Sequence, residues 1–167
     1  IFIDISTGLI IGIVSTFILM LWRISRPHMA VIGLVEGTQH FRNIQRHHVK
    51  TSPALMSIRI DENLTFLNTN SLKGFLINQM SQSPKLQHVI INCSSISSID
   101  FSALEMLEDM NSELNKLNIR LHFSEVKGPV MDKLQHSKLL KHLSGQIYLT
   151  HYQAIQDLSS STAEYQI

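Results

Sequence analysis

The first part of the chain constrains its fold most, because residues 5–22 carry no charged side chain and a basic flank follows at once. A helix of 18 residues at about 1.5 Å per residue reaches roughly 27 Å, close to the ~30 Å hydrocarbon layer of a bilayer. A signal peptide would need a basic lead and a small-residue cleavage site, and neither is present. A buried core helix usually has a polar stripe, which residues 9–22 lack. The pattern therefore predicts one transmembrane helix within residues 1–23.

Small residues along this helix predict how it packs. Gly8, Gly12 and Thr16 recur at every fourth position, and Asp4 lies one turn earlier on the same face. Small residues at this spacing let the backbones of membrane helices approach closely. We therefore expect this face to pack against other helices of a larger membrane protein. Asp4 is interpreted as part of that packing face; a direct role in transport is the alternative, since acids within membranes are often functional.

Basic residues lie after the helix and not before it, which predicts its orientation. The nearest of them are Arg23, Arg26, Arg42, Arg46 and Lys50. Cytoplasmic flanks of membrane helices carry the excess of Lys and Arg, so the C-terminal part is expected in the cytoplasm and the helix in the inner or plasma membrane. Trp22 stands where an interfacial aromatic residue is typical.

The remaining chain, residues 24–160, is predicted to be one α/β domain, because strand and helix patterns alternate along it. Strands are expected at residues 29–35, 55–60, 65–67, 89–93, 119–123 and 147–149. Helices are expected to begin near Asn68 or Asn70, at Ser102, at Gly128 and at Thr150. The helix from Ser102 is expected to bury a core stripe that consists of Ala103, Leu107, Met110, Leu114 and Leu117. Residues 39–53 are expected to form a polar connector, and residues 161–167 a polar tail.

Composition excludes several classes of function. The 14 Lys and Arg nearly balance the 13 Asp and Glu, which argues against general nucleic-acid binding. Phosphate-binding glycine motifs, CxxC and HExxH are absent, and the nine histidines lack ligand spacing and are interpreted as surface residues. No metal site, cofactor or enzymatic activity is therefore predicted. The single cysteine, Cys93, lies in an apolar run and is expected to be buried.

A polar loop before the third predicted helix carries the candidate site, which consists of Asp100, Phe101 and Ser102. The run from Ser102 to Glu105 matches a capping box, so Ser102 is predicted to be the N-cap. Asp100 would add negative charge at the positive helix end. One interpretation is purely structural. The other is a docking or phosphorylation surface, for a cytosolic protein partner or for a nucleotide at the helix start.

The order of several motifs resembles the SulP family of anion transporters. These motifs are residues 25–28 (SRPH), 32–33 (IG), 37–38 (GT), 41–43 (FRN), 58–61 (IRID) and 64–68 (LTFLN). The loop of residues 98–104 resembles the signature of STAS domains, which bacterial anti-anti-sigma factors share. The resemblance implies a mixed sheet with surrounding helices, lying below a membrane domain that transports sulfate, bicarbonate or dicarboxylates as a symporter or exchanger.

One position departs from the anti-anti-sigma pattern. Those factors have a phosphorylatable serine directly after the aspartate of the loop, where this chain has Phe101. The leading hypothesis is therefore the C-terminal regulatory or interaction STAS region of a SulP-type transporter, with the rest of the transporter's membrane domain as its partner. The second is a membrane-tethered module that binds partners as anti-anti-sigma factors do. Both hypotheses leave open whether the chain forms a homodimer.

Overall fold

The computed structural model describes residues 4–161, with side chains to residue 160. Within this part, the helices are α1 (Ile5–Ser25), α2 (Thr69–Ser81), α3 (Phe101–Lys116), α4 (Gly128–Gln135), α5 (Lys138–His142) and α6 (His151–Ser161). The strands are β1 (Met29–Leu34), β2 (Phe41–Asn43), β3 (Leu55–Ile60), β4 (His88–Asn92), β5 (Arg120–Ser124) and β6 (Ile147–Tyr148). Residues 1–3 and most of the predicted polar tail, 162–167, lie outside the described part.

The six strands form one mixed sheet in the order β2-β1-β3-β4-β5-β6. The pairs β2–β1 and β1–β3 are antiparallel, whereas β3, β4, β5 and β6 run parallel. Parallel strands need crossover connections, which α2, α3 and the α4–α5 pair provide between them. The predicted class, a mixed α/β sheet with surrounding helices, is confirmed.

One face of the sheet carries the larger apolar core. Ile58, Ile91 and Leu121 are fully buried there, beneath Leu72 of α2 and Leu107 of α3. Residues from α4 and α5 complete the same cluster. Because β4 is central and covered on both faces, its sequence is apolar at consecutive positions rather than at alternate ones.

The opposite face is covered by α6 alone among the described helices, and it is more polar. Ile90 packs there with Ala154, Ile155 and Leu158 of α6. Successive side chains of a strand point to opposite faces, so the same face also receives the buried polar side chains of the parallel strands. These are Ser57, His88, Asn92, His122 and Ser124.

Three local predictions were wrong. Residues 65–67 form a turn rather than a strand, and only Leu64 makes an isolated bridge, to Ile99. The connector contains β2, which exists because it pairs with β1. Leu117, predicted in the core stripe of α3, is 61% exposed, because α3 ends at Lys116 and the chain turns through Asn118 with a φ of 59°.

Helix α1 does not pack into the core of the domain. It has 21 residues, a mean hydropathy of 2.1 and no buried residue. At about 1.5 Å per residue it is roughly 31 Å long, so its length and composition suit a membrane span. Only residues 26–28 separate it from β1.

Candidate functional site

Asp100, and not Ser102, caps α3, which corrects the prediction from the capping-box pattern. The Ala103 amide donates to Asp100 Oδ1 at 2.8 Å, and the Phe66 amide donates to Oδ2 at 2.8 Å. The helix begins at Phe101, so Ser102 already lies in its first turn with its side chain exposed. The cap of α3 lies two residues before the predicted one because Ile99 is buried and paired with Leu64.

Two loops are joined rigidly beside this helix start. The Leu64 amide donates to the Ser98 carbonyl, at 3.2 Å. Asn63 Oδ1 accepts from the amides of Ser97 and Ser98, at 2.8 and 2.9 Å. These bonds fix the loop after β3 against the loop after β4, so the surface they form is preorganised.

This fixed surface presents two aromatic rings. Leu64 and Ile99 are paired in parallel, so Phe66 and Phe101, each two residues further on, occupy equivalent places in the two segments. Their side chains are 65% and 73% exposed. The sequence prediction included Phe101 but missed Phe66. A signal was present, because both segments read apolar, polar, Phe.

The end of α1 is attached to the start of α2. Asn68 Nδ2 donates to the carbonyls of Asn63 and Ile24, at 2.8 and 3.4 Å, and Ser71 Oγ donates to the Ser25 carbonyl at 2.7 Å. The last carbonyls of a helix have no partner within the helix. Asn68, directly before α2, and Ser71, in its first turn, supply partners for two of these carbonyls of α1. Asn68 occupies the predicted N-cap position of α2, but its side chain makes no capping bond there.

Gly8, Gly12 and Thr16 line one shallow groove along α1, as their spacing predicts. A Cβ built at either glycine would have no atom within 4 Å, and Thr16 Oγ1 donates to the Gly12 carbonyl at 2.9 Å. The face is therefore open. The exposed Asp4 carboxylate accepts from Ser6 Oγ at 2.8 Å, at the N-terminal end of the helix.

Three histidines, His88, His122 and His151, are buried, so the prediction that the histidines are surface residues was wrong for these three. The Gln146 amide donates to His122 Nδ1 at 3.0 Å, so the neutral ring carries its proton on Nε2, which donates to His88 Nδ1 at 3.1 Å. Burial, together with His88 and Arg120, lowers the pKa of His122 to about 4. With both nitrogens engaged in this way, His122 has no lone pair left for a metal.

The third buried histidine lies at the start of α6. His151 is fully buried, and its Nδ1 lies 2.7 Å from the hydroxyl of Ser124. Burial lowers the pKa of His151 to about 4. Its ring meets the ring of Phe41 edge-on, with centroids 4.4 Å apart. This histidine therefore fastens α6 to the sheet.

Cys93 is buried, as predicted. Burial, with a smaller effect of Glu125, raises the pKa of its thiol to about 12. A thiol that is neither exposed nor ionised is chemically inert.

The fold is that of a known domain family. The model of the STAS domain matches residues 46–154, and the chain therefore belongs to the STAS domain family. Several sulfate transporters are among its curated relatives. It is 29% identical to high affinity sulfate transporter 2 of Stylosanthes hamata, over 99% of this chain and 27% of the relative. The chain thus spans about a quarter of the length of the curated relatives it matches.

Solved structures support the same fold. The murine solute carrier 26 family member A9 anion transporter, in the inward-facing state, superposes with a TM-score of 0.80 at 12% identity. The superposition covers 92% of this chain and 25% of that one. The phosphorylated Bacillus cell fate determinant SpoIIAA superposes with a TM-score of 0.51 at 17% identity, over 65% of this chain and 94% of that one. Both superpositions support the STAS fold, and the match to a sulfate transporter over 99% of this chain favours the transporter hypothesis over the anti-anti-sigma alternative.

Proposed function

We propose that this chain is the C-terminal region of a SulP-type inorganic anion transporter. Residues 1–23 are the end of its last transmembrane helix, residues 24–160 its cytoplasmic STAS domain and residues 161–167 a polar tail. The observation that carries the proposal is the apolar helix α1, which has no buried residue and is joined by three residues to a STAS domain. Membrane lipid and neighbouring helices are the surroundings in which such a helix is stable.

The transported anion is proposed to be sulfate, because the names of the curated relatives specify sulfate. Bicarbonate and dicarboxylates are the alternatives. The anion site belongs to the membrane domain, so the role of this region is regulatory or connecting rather than catalytic.

Two surfaces are proposed to carry that role. The face of Asp4, Gly8, Gly12 and Thr16 packs against the transporter's other membrane helices, because its glycines leave room for a close backbone approach. The loop of residues 100–102 is an interaction surface. A protein partner in the cytosol, or a second copy in a homodimer, suits this loop better than a nucleotide does, because the Asp100 carboxylate already holds the N-terminal amide where a phosphate would bind.

A chimera tests the proposed function. The C-terminal quarter of the Stylosanthes hamata transporter is replaced by this chain and expressed in yeast cells that lack sulfate uptake. We expect sulfate uptake to be restored, because the membrane domain of the chimera supplies the anion site and this chain supplies the C-terminal region. The matched control carries Ile91→Arg, which disrupts the STAS core and should abolish uptake. A chimera that reaches the plasma membrane yet takes up no sulfate contradicts the proposal.

A further inference from the structure

We propose that the domain has a binding site for a neutral small molecule with an apolar body and a hydroxyl or amide group, in the crevice between the end of β1 and the start of β3. This site is called here the β1–β3 crevice. It lies at the edge of the sheet where the parallel strands begin, opposite the loop of residues 100–102, which follows β4. Such a site goes beyond the proposed function and does not require α1 to span a membrane.

The crevice forms because β1 and β3 separate. The last pair between the two strands joins Ile32 to Ser57. Beyond it, Leu34 forms a bridge with Lys50 rather than with β3. Gly33 permits this course, because a Cβ built there would lie 2.7 Å from the Lys50 carbonyl oxygen. The end of β1 therefore pairs with the connector, and a crevice of about 470 Å³ lies between that end and the start of β3. Small-molecule sites in proteins have volumes in this range.

A buried hydroxyl without a partner lines the crevice. Ser57 is 2% exposed, and its Oγ has no hydrogen-bond partner within the described chain. Buried polar groups are nearly always hydrogen-bonded in native proteins, because a polar group that leaves water without a new partner is costly. A bound molecule with a hydrogen-bonding group would give this hydroxyl its partner.

The other walls of the crevice are mainly apolar in the interior and polar near the solvent. Ile32, Leu55 and Ile155 are buried and line it. Thr51 and Gln82, which are exposed, add a hydroxyl and an amide. Apolar walls with a few placed polar groups are typical of small-molecule sites, so the crevice suits a molecule with an apolar body.

The charges of the crevice favour a neutral molecule. Among the described residues that line it, Lys50 alone has a charged side chain. Its Nζ lies 2.8 Å from Glu36 Oε1, so this charge is already paired. A carboxylate or a cation in the crevice would lose water without gaining an opposite charge, whereas an alcohol or an amide loses much less.

Binding in the crevice should stabilise the domain. Its walls come from β1, β3, α2 and α6. A molecule that contacts all four elements binds the folded state and not the unfolded one, so it raises the unfolding free energy. Because β1 follows α1 after three residues, the crevice lies in the part of the domain that is directly connected to α1.

Methyl NMR of the full chain in lipid nanodiscs tests the inference, with cyclohexanol as the probe. Cyclohexanecarboxylate, which has the same ring but a charged group, is the matched control. The methyl groups of Ile32, Leu55 and Ile155 report on the crevice. Those of Leu107, in the larger core, report on nonspecific effects.

We expect cyclohexanol to shift the crevice signals saturably, with a dissociation constant on the order of 1 mM for so small a molecule, and to leave those of Leu107 unchanged. Cyclohexanecarboxylate should bind more weakly by about tenfold or more. Ser57→Ala should weaken cyclohexanol binding by about 2- to 10-fold, since one hydrogen bond is lost. Ser112→Ala, at an exposed position of α3, should leave it unchanged.

Four results would overturn the inference. The first is the absence of a saturable shift at the crevice, and the second is binding of the carboxylate as tight as that of the alcohol. The third is an unchanged affinity in Ser57→Ala. The fourth is a lower unfolding temperature of Ser57→Ala without the probe, because it would show that water already satisfies the hydroxyl. None of these results bears on the proposed function, which rests on α1.

Discussion

Ile13 in α1 and Ile91 in β4 have the same side chain but opposite surroundings. Ile13 is 61% exposed, and Ile91 is fully buried beneath α2 and α3. The difference does not come from composition, since both segments are apolar. It comes from the elements that pack against each segment. Amphipathic helices cover the short strand β4, whereas no described element covers the length of α1. The apolar surface of α1 is therefore stable only against a surrounding that the domain does not provide.

The largest predicted effect comes from placing a charge in each region. Ile91→Arg buries an unpaired charge and should abolish the cooperative unfolding of the domain, since such changes cost several kcal/mol. Ile13→Arg should leave that transition unchanged in detergent but oppose membrane insertion by about 2.5–3.5 kcal/mol. Thermal circular dichroism and vesicle flotation measure the two effects. Equal loss of the thermal transition in both variants would remove the distinction between the regions.

Lowering the pH should also affect the stability of the domain and the membrane insertion of α1 differently. The unfolded chain binds protons at its histidines below about pH 6.5, whereas His122 and His151 in the fold resist them until about pH 4. The unfolded state therefore binds more protons in this window, and the stability of the domain falls as pH falls from about 6.5 towards 4. Residues 5–22 contain no titratable group, so insertion of α1 should not change over the same range.

Urea unfolding at pH 7 and pH 5 measures this loss. His122→Asn keeps an acceptor for the Gln146 amide but cannot take up a proton at these pH values, so its pH dependence should be weaker than that of the parent chain. Because His151 remains, some dependence should persist in this variant. A parent chain that is equally stable at both pH values contradicts the account of the buried histidines.

A smaller effect distinguishes the two candidate caps of α3. Asp100→Ala removes the two carboxylate oxygens that accept hydrogen bonds from the amides of Ala103 and Phe66. The change should lower the unfolding free energy by roughly 1–3 kcal/mol. Ser102→Ala, at an exposed position in the first turn, should stay within about 0.5 kcal/mol. Urea titration of both variants measures the difference. A larger loss for Ser102→Ala would restore the capping box that the sequence pattern suggested.

Segments whose own pattern determines their structure were predictable from the sequence. The strands β1, β3, β4 and β5, the buried stripe of α3 and the apolar α1 all have such patterns. β2 could not be predicted, because three residues in a polar connector become a strand only through their pairing with β1. The short α5 and the burial of His88, His122 and His151 likewise depend on the packing of distant elements.

The candidate site was predictable in part for the same reason. Its loop follows a recognisable buried strand, so Asp100 and Phe101 could be singled out from the sequence. Phe66 was missed although its segment repeats the apolar, polar, Phe pattern of residues 99–101, because that short pattern does not show that Leu64 pairs with Ile99, far along the chain. The identity of the cap depended on that pairing too, since it determines where α3 begins.

The sidedness of the two ends of α1 tests the central claim most directly. Cys93 is buried and its thiol has a pKa of about 12, so it should not react with a maleimide. Cysteines introduced by Ser6→Cys, which lies off the packing face of α1, and by Gln39→Cys, both at exposed positions, can then be labelled in cells with a membrane-impermeant maleimide. The account predicts labelling at position 6 in intact cells and at position 39 only after permeabilisation. Labelling of both positions from the same side of the membrane would contradict it.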